Sequence, residues 1–318
     1  VTVPVAVLET VDARLAETVR AAAGPALDLR FAPTLDAGGF ASVLPGARYA
    51  VVRGTRMQAG LLDAAPDLVM IHQWGTGIDN VPAAEALARG IVVARSPGRN
   101  APSVADMTLG LMLSVLRRIP AADARMRAGG WKMDALWEGA RDLSELRVGL
   151  LGFGAIGQAV ARRLDGFGAT VFYHRPSGPW EERPGWMPLT ELVASVDVLS
   201  LHLPLTPENR HIIGRREFSR MRRGAVLVNT SRGPLVDEAA MLEALREGWL
   251  GGLGLDVFEA EPLPAGHPLL AMPNTVLTPH VAGRTEDNLT RMVRHWAGNI
   301  RAHHEGRPLA PEDLVTRA

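Results

Sequence analysis

Three apolar stretches of this 318-residue chain run into residues that could do chemistry. "GAVLVNTSRG" leads to Arg232, "LGGLGLDVFEAEP" to Asp256, Glu259 and Glu261, and "NTVLTPHVAG" to His280. An arginine fork grips a carboxylate through two parallel hydrogen bonds. A histidine holds and releases a proton near neutrality, and an adjacent carboxylate favours its charged form. Together they suit delivery of a hydride and a proton to an anionic carbonyl compound. Any one alone reads as an ordinary surface charge. Three at successive strand ends point to a site, because ligands of open α/β sheets bind beyond the carboxyl ends of the strands.

A seat for the hydride donor lies upstream, in "RVGLLGFGAIGQAVARRLDGFG". Gly152, Gly154 and Gly157 form G-x-G-x-x-G between an apolar strand and an amphipathic helix. The first permits the tight turn, the second lets backbone approach a pyrophosphate, and the third lets helix and strand pack closely. The N–H groups of Ala155 and Ile156 then face the phosphates at the helix start. Three glycines alone would be a weak sign; their placement makes it dinucleotide binding.

The next strand ends in "VFYHRPSG", where an acid usually binds the adenosine ribose. Arg175 stands 18 residues beyond Gly157, about where that acid should fall, and no acid follows before Glu181. Arg175, Ser177 and His174 offer a guanidinium, a hydroxyl and an imidazole, in a turn stiffened by Pro176. This exchange of a carboxylate for a cation predicts NADP as the preferred cofactor, with NAD the weaker alternative.

These residues need strands to carry them. "VPVAVLE", "LDLRFA", "YAVVRG", "LVMIHQW" and "IVVARS" alternate with helical stretches over the first hundred residues. A second series follows: "RVGLL", "ATVFY", "VDVLSLH", "AVLVNT", "LGGLGLDVF" and "NTVLTP". Such alternation implies parallel strands with crossover helices. Between the series, "SPGRNAP" reads as a linker, and "SVADMTLGLMLSVLRR" as a long apolar helix opened by Ser103 and Asp106 in capping-box spacing. Pro120 should end or kink it. A last helix, "EDNLTRMVRHWAGNIRAHHEG", should return to the first series, which lacks a helix to finish its packing. The expectation is therefore α/β, with two doubly wound parallel-sheet domains. A Rossmann dinucleotide-binding domain covers 99–283, and a discontinuous, flavodoxin-like substrate domain covers 1–98 and 284–318.

Composition narrows the partners. Acids and bases balance at 34 each, which argues against nucleic acid or a membrane as partner. There is no cysteine, so disulfides, thiolate metal sites and a cysteine nucleophile are excluded. Lys132 is the single lysine, which removes a P-loop lysine. The histidines, His303 and His304 included, lack paired ligand spacing, so no metal is expected. The acidic start "VTVPVAVLETVDAR" does not read as a signal peptide, and a cytoplasmic location is expected.

The run from "LHLPLTPENRHIIG" through "GAVLVNTSRGPLVDEAAMLEALREGWLGGLGLDVFEAEPLP" to "HPLLAMPNTVLTPHVAG" resembles the D-isomer-specific 2-hydroxyacid dehydrogenases. Fainter echoes in "GTGIDNVP" and "NAPSVADMTLGLML" extend the resemblance over most of the chain. It implies that Arg232 binds the substrate's carboxylate and carbonyl oxygen, that Glu261 pairs with His280, and that His280 is the general acid/base. It implies that Asp256 fixes the nicotinamide amide. The N–H groups of Thr76 and Gly77 would cradle the substrate carboxylate, a plain glycine turn being the alternative. "GGWKMDALWEG" resembles the glyoxylate/hydroxypyruvate reductases, whose tryptophan, matched by Trp137, reaches a partner subunit's pocket; a buried dimer-contact aromatic is the alternative. The implied protein is a homodimeric oxidoreductase acting on a small 2-keto or 2-hydroxy acid. Arg284 departs from the small residue common at its position. Formate dehydrogenases carry glutamine where Glu261 stands, which sets them low. A short phosphoglycerate dehydrogenase and a non-catalytic, dinucleotide-sensing corepressor-like protein are the competing readings.

Overall fold

The apolar runs become parallel strands, and those at the sheet centres are buried on both faces, which is why they read as near-continuous rather than alternating. The computed structural model describes residues 2–131 and 139–316. The chain divides into two compact units, Val1–Asn100 with Arg284–Ala318, and Ala101–Gly283.

The first unit holds β1 (Val3–Leu8), β2 (Leu27–Phe31), β3 (Tyr49–Val52), β4 (Met70–Gln73) and β5 (Val92–Ala94). They form a parallel sheet in the order β2-β1-β3-β4-β5, the flavodoxin-like arrangement. Its helices are α1 (Ala13–Ala23), α2 (Ala37–Val43) and α3 (Ala83–Ala88). Asp12 caps α1 by accepting from Leu15 N–H, and Gly24 ends it at φ 86°. A further helix (α10, Glu286–His304) comes from the far end of the chain. Thr285 caps it, acids occupy its first turn and basic residues its last, each favourable to the helix dipole. Its stripe of Met292, Val293, Trp296, Ala297 and Ile300 packs on Val5, Val7, Tyr49 and Trp74. Trp296 is fully buried, its ring 5.6 Å from that of Trp74.

A polar network ties this helix to the sheet. Buried His72 pairs through Nδ1 with Gln73 O (2.8 Å) and through Nε2 with Asn299 Nδ2 (3.1 Å). Asn299 in turn donates to Asp313 (3.0 Å). Burial pushes the His72 imidazole down to about 4, so it is neutral and can donate at one nitrogen while accepting at the other.

The second unit holds β6 (Arg147–Leu151), β7 (Thr170–His174), β8 (Val198–Leu201), β9 (Ala225–Asn229), β10 (Leu250–Leu255) and β11 (Thr275–Leu277). The order is β11-β10-β9-β8-β6-β7, all parallel. A single parallel bridge from Tyr173 to Trp186 adds a rudimentary third strand outside β7. With it the sheet begins 3-2-1-4-5-6 in the unit's own chain order, the Rossmann arrangement, and one more strand follows. The helices are α4 (Ala101–Leu116), α5 (Ile119–Arg127), α6 (Ala155–Gly166), α7 (Leu189–Ser195), α8 (Arg215–Phe218) and α9 (Glu238–Arg246). Val115 and Leu111 of α4 lie so close to Gly252 and Gly254 of β10 that side chains there would press into them.

Two local expectations need correction. The long apolar helix starts at Ala101, so Ser103 lies buried inside its first turn rather than capping it. Pro102 explains the earlier start, because its fixed φ and missing N–H suit a helix's first positions. Asp106 accepts instead from Arg163 Nε (2.6 Å). Pro120 neither ends nor kinks α4: the helix stops at Leu116, Arg118 turns left-handed (φ 51°), and Pro120 opens α5. Among the described residues, no helix is long and apolar enough to cross a membrane.

Candidate active site

The glycine turn, the end of β7 and the charged residues of the candidate site lie at or past the carboxyl ends of strands. Gly152 follows β6, His174 ends β7, Arg232 follows β9, Asp256 follows β10 and His280 follows β11.

The glycine turn is dictated by packing. Gly152 has φ 102°, and a Cβ there would overlap His202 O; one on Gly157 would overlap Gly152 O. A Cβ on Gly154 would meet nothing within 4 Å. That open space lies where α6 begins without a side-chain cap, its first N–H groups, Ala155 and Ile156 among them, directed outward. The turn therefore fits a dinucleotide pyrophosphate: a cradle that a side chain would fill, facing helix donors. Gly152 N–H donates to His174 O (2.9 Å), which seats the end of β7 beside the turn. Phe153 locks the arrangement by stacking on Tyr173 at 3.9 Å.

Beyond β7, residues 175–178 close a turn through Gly178 N–H to Arg175 O (3.1 Å). Arg175 Nε donates to Gly178 O (2.7 Å) and Nη2 to Pro179 O (2.8 Å). The guanidinium is thus fixed by neutral carbonyls, its charge uncancelled by them. Ser177 is exposed, and His174 Nδ1 pairs with Met187 O at 2.9 Å. His202, just after β8, is held down to about 3 by burial; its Nε2 meets Ser200 Oγ at 3.0 Å.

The charged residues at the three strand ends sort themselves by partner. His280 Nδ1 lies 2.7 Å from Glu261 Oε2, both groups partly exposed. The other Glu261 oxygen accepts from Phe258 N–H (3.1 Å). Burial opposes ionisation of Glu261, but hydrogen bonds from His280 and Phe258 N–H and the charges of His280 and Arg232 outweigh it. The carboxyl is held below its usual range. Glu259 belongs to a different neighbourhood, pairing with Arg210 (2.5 Å) and His211 (3.0 Å).

Asp256 is fully buried, and its carboxylate accepts from Thr278 Oγ1 (2.6 Å), Val281 N–H (2.8 Å) and Ala282 N–H (2.8 Å). Its carbonyl accepts from His280 N–H (2.8 Å), holding His280 in a left-handed conformation at φ 52°. A nicotinamide amide would have to share one of these bonds. Arg232 is placed by an Asn229 loop: Asn229 donates to Arg232 O (2.9 Å) and accepts from Ser231 N–H (3.0 Å). Gly233, which sequence reasoning passed over, abuts the Phe258 backbone so closely that a Cβ would occupy the same space. That contact joins the Arg232 loop to the Glu261 loop. The "RG" dipeptide was its only trace in the sequence.

Thr76 and Gly77 lie in the first unit, beyond β4. Thr76 Oγ1 donates to Ser96 O (3.1 Å), and Ser96 N–H donates to Gly75 O (2.9 Å), so the loop is fixed by its side chain and neighbours. Arg53, also unremarked in the sequence, rests on Trp74 at 5.0 Å and faces Glu9 at 3.7 Å. Trp137 lies outside the described residues.

The sequence profile of D-isomer specific 2-hydroxyacid dehydrogenases, NAD binding domain, matches residues 109–282. A glyoxylate reductase of Korarchaeum cryptofilum is 40% identical, covering 82% of this chain and 80% of its own. A solved Thermus thermophilus protein superposes with a TM-score of 0.87 at 38% identity, covering 98% of this chain and 99% of its own. An NADPH-dependent glyoxylate/hydroxypyruvate reductase of Sinorhizobium meliloti does so at 0.83 and 31%, covering 98% and 97%. The chain belongs to the D-isomer specific 2-hydroxyacid dehydrogenase family. It is a 2-hydroxyacid dehydrogenase whose second unit carries the nicotinamide dinucleotide.

The glycine geometry makes two substitutions diverge. Gly154→Ala should melt within a few degrees of the parent, yet bind dinucleotide at least tenfold more weakly, because its methyl enters the open cradle. Gly157→Ala should lower the melting temperature sharply through its backbone clash. Thermal unfolding and a fluorescence titration with dinucleotide check both; unchanged affinity in Gly154→Ala would place the phosphates elsewhere.

Proposed function

We propose that the enzyme uses NADPH to reduce a small 2-keto acid of the glyoxylate or hydroxypyruvate type to the D-2-hydroxy acid. The observation that carries this reading is the hydrogen-bonded His280–Glu261 pair at the strand ends, with the Arg232 charge beside it. Bound reduced nicotinamide would supply the hydride to the carbonyl carbon. Arg232 grips the substrate's carboxylate and polarises its carbonyl oxygen. His280, its Nδ1 turned to Glu261, delivers a proton from Nε2 to that oxygen as negative charge develops. Glu261 keeps the imidazole oriented and favours its protonated form. Asp256 fixes the loop that carries His280 and is assigned to the nicotinamide amide, and Thr76 and Gly77 to the substrate through their N–H groups. Similarity to glyoxylate and hydroxypyruvate reductases supports the substrate class. The Arg175–Ser177 turn, with no acid, supports NADPH, as does the NADPH-dependent Sinorhizobium relative. We propose a homodimer as well, since Ile119, Met126 and Trp131 expose large apolar surface on and after α5.

His280→Ala and Arg232→Ala should each lower turnover with glyoxylate or hydroxypyruvate about a hundredfold or more. In Glu261→Gln the alkaline limb of the pH–rate profile should move to lower pH, because the imidazolium loses its carboxylate. A limb that stays in place removes Glu261 from this role.

NADPH should be preferred to NADH by about ten- to a hundredfold, the scale of one charge-assisted hydrogen bond at roughly 1.5–3 kcal/mol. Arg175→Asp should erase or invert that preference, with little change in turnover at saturating cofactor. Initial rates with both cofactors decide it, and equal efficiencies in the parent would sink the assignment.

Light scattering at micromolar concentration should report twice the mass of the chain. Trp137→Ala should weaken keto-acid binding more than cofactor binding if that side chain completes a partner's pocket, and both equally if it is a dimer contact. A monomer would refute the proposed assembly.

A further inference from the structure

The parallel sheet of the second unit has two edges. The candidate active site occupies the carboxyl edge. The amino edge carries a cavity of about 200 Å³, walled by the starts of β9 and β10, residues preceding β6, β8 and β11, and the corner after α4. Arg118, Arg141, Arg222 and Arg223 line it, against Asp197 as the one acid among the described residues.

Two of these arginines are explained by the fold. Arg222 Nη1 pairs with Asp197 Oδ1 (3.0 Å), while Asp197 Oδ2 takes Arg147 N–H (2.9 Å), so that carboxylate is fully committed. Arg223 donates to Glu247 O at the end of α9 (3.2 Å) and rests on the Trp249 ring (5.3 Å). It serves as a helix C-terminal cation.

The other two have no such duty. Arg118 sits at the left-handed corner between α4 and α5, and its Nε is shut off from solvent with no hydrogen-bond partner. A buried donor left unpaired is costly, and more so when it carries charge. Arg141 is exposed, and its backbone N–H holds the corner to Leu116 O (3.1 Å). Among the described residues no acid is paired with either. The cavity thus presents two guanidinium groups, neither paired with an acid among the described residues, to a space with room for an oxyanion and a short carbon tail.

We propose that this cavity is an anion site for a small phosphorylated compound, its phosphate gripped by Arg118 and Arg141. A phosphate monoester carries close to two negative charges and three acceptor oxygens, matching two planar forks in charge and geometry. The site stands at the opposite edge of the sheet from His280 and the glycine turn, so its ligand is an effector and not a substrate.

The test uses protein saturated with NADPH, which keeps the cofactor's own phosphate contacts filled. Thermal unfolding is followed against inorganic phosphate, glycerol 3-phosphate and, at matched ionic strength, potassium chloride. The phosphate compounds should raise the melting temperature saturably and chloride should not. Tighter binding of glycerol 3-phosphate identifies a monoester as the ligand, and equal binding identifies free phosphate. Arg118→Gln and Arg141→Gln should each raise the apparent Kd about tenfold or more, the scale of a lost charge-assisted bond. Arg141 is exposed, so its variant keeps the test decisive should Arg118→Gln unfold. Without phosphate, kcat/KM of Arg141→Gln should stay within about twofold of the parent. A response matched by chloride, or a phosphate Kd unchanged by both substitutions, overturns the proposal.

Discussion

Asp256 is a buried carboxylate with no cation at hydrogen-bonding distance among the described residues, and the reactive end of the second unit is organised around it. A buried charge is costly unless its oxygens find donors. Here two backbone N–H groups and a hydroxyl converge on it, all from residues 278–282. To supply them the chain must curl tightly after β11, and His280 takes up a left-handed conformation within that curl. The imidazole is therefore aimed by the need to solvate a different residue's charge. Glu261 receives the imidazole from a second loop, which Gly233 brings against the Arg232 loop by backbone contact. Three side chains from three strand ends are positioned by one buried charge and one missing methyl group.

The dinucleotide end follows the same economy. The glycine turn is compressed between His202 O on one side and α6 on the other, and its N–H ties down the end of β7. The residues that would meet the adenosine ribose are thus held next to those that would meet the pyrophosphate. Arg175 has its guanidinium braced by the carbonyls of its own turn, so the cation is held in place before any ligand arrives. Bracing of this kind reduces the side-chain entropy lost on binding.

The strand series and the glycine turn could be read from the sequence because each depends on residues close together in the chain. An apolar run between turn residues is a strand wherever it packs, and G-x-G-x-x-G between strand and helix has few other uses. What escaped reading depended on contacts between distant residues. The resemblance paired Glu261 with His280, 19 residues on, but nothing in "DVFEAEP" says that Glu259 goes to Arg210 and His211, 49 and 48 residues away. The third strand beside β7 shrinks to one bridge at Trp186, too short to leave a periodic signal. Ser103 and Asp106 had the spacing of a cap, but Pro102 supplied an earlier start and Arg163 drew Asp106 away. Arg232, Glu261 and His280 were legible as types at strand ends; their alignment was not.

The origin of α10 has a consequence for how the chain is made. The sheet of the first unit leaves the ribosome before the second unit, yet the helix that covers Val5, Val7, Tyr49 and Trp74 is encoded after it. Until residue 304 has been added, that apolar face has no cover from Trp296. The second unit, continuous from Ala101 to Gly283, carries its whole core within one stretch and can close while synthesis continues. Residues 2–100 are thus translated before the second unit but sealed after it. During that interval the nascent chain presents a sheet face that chaperones, or another nascent chain, can reach.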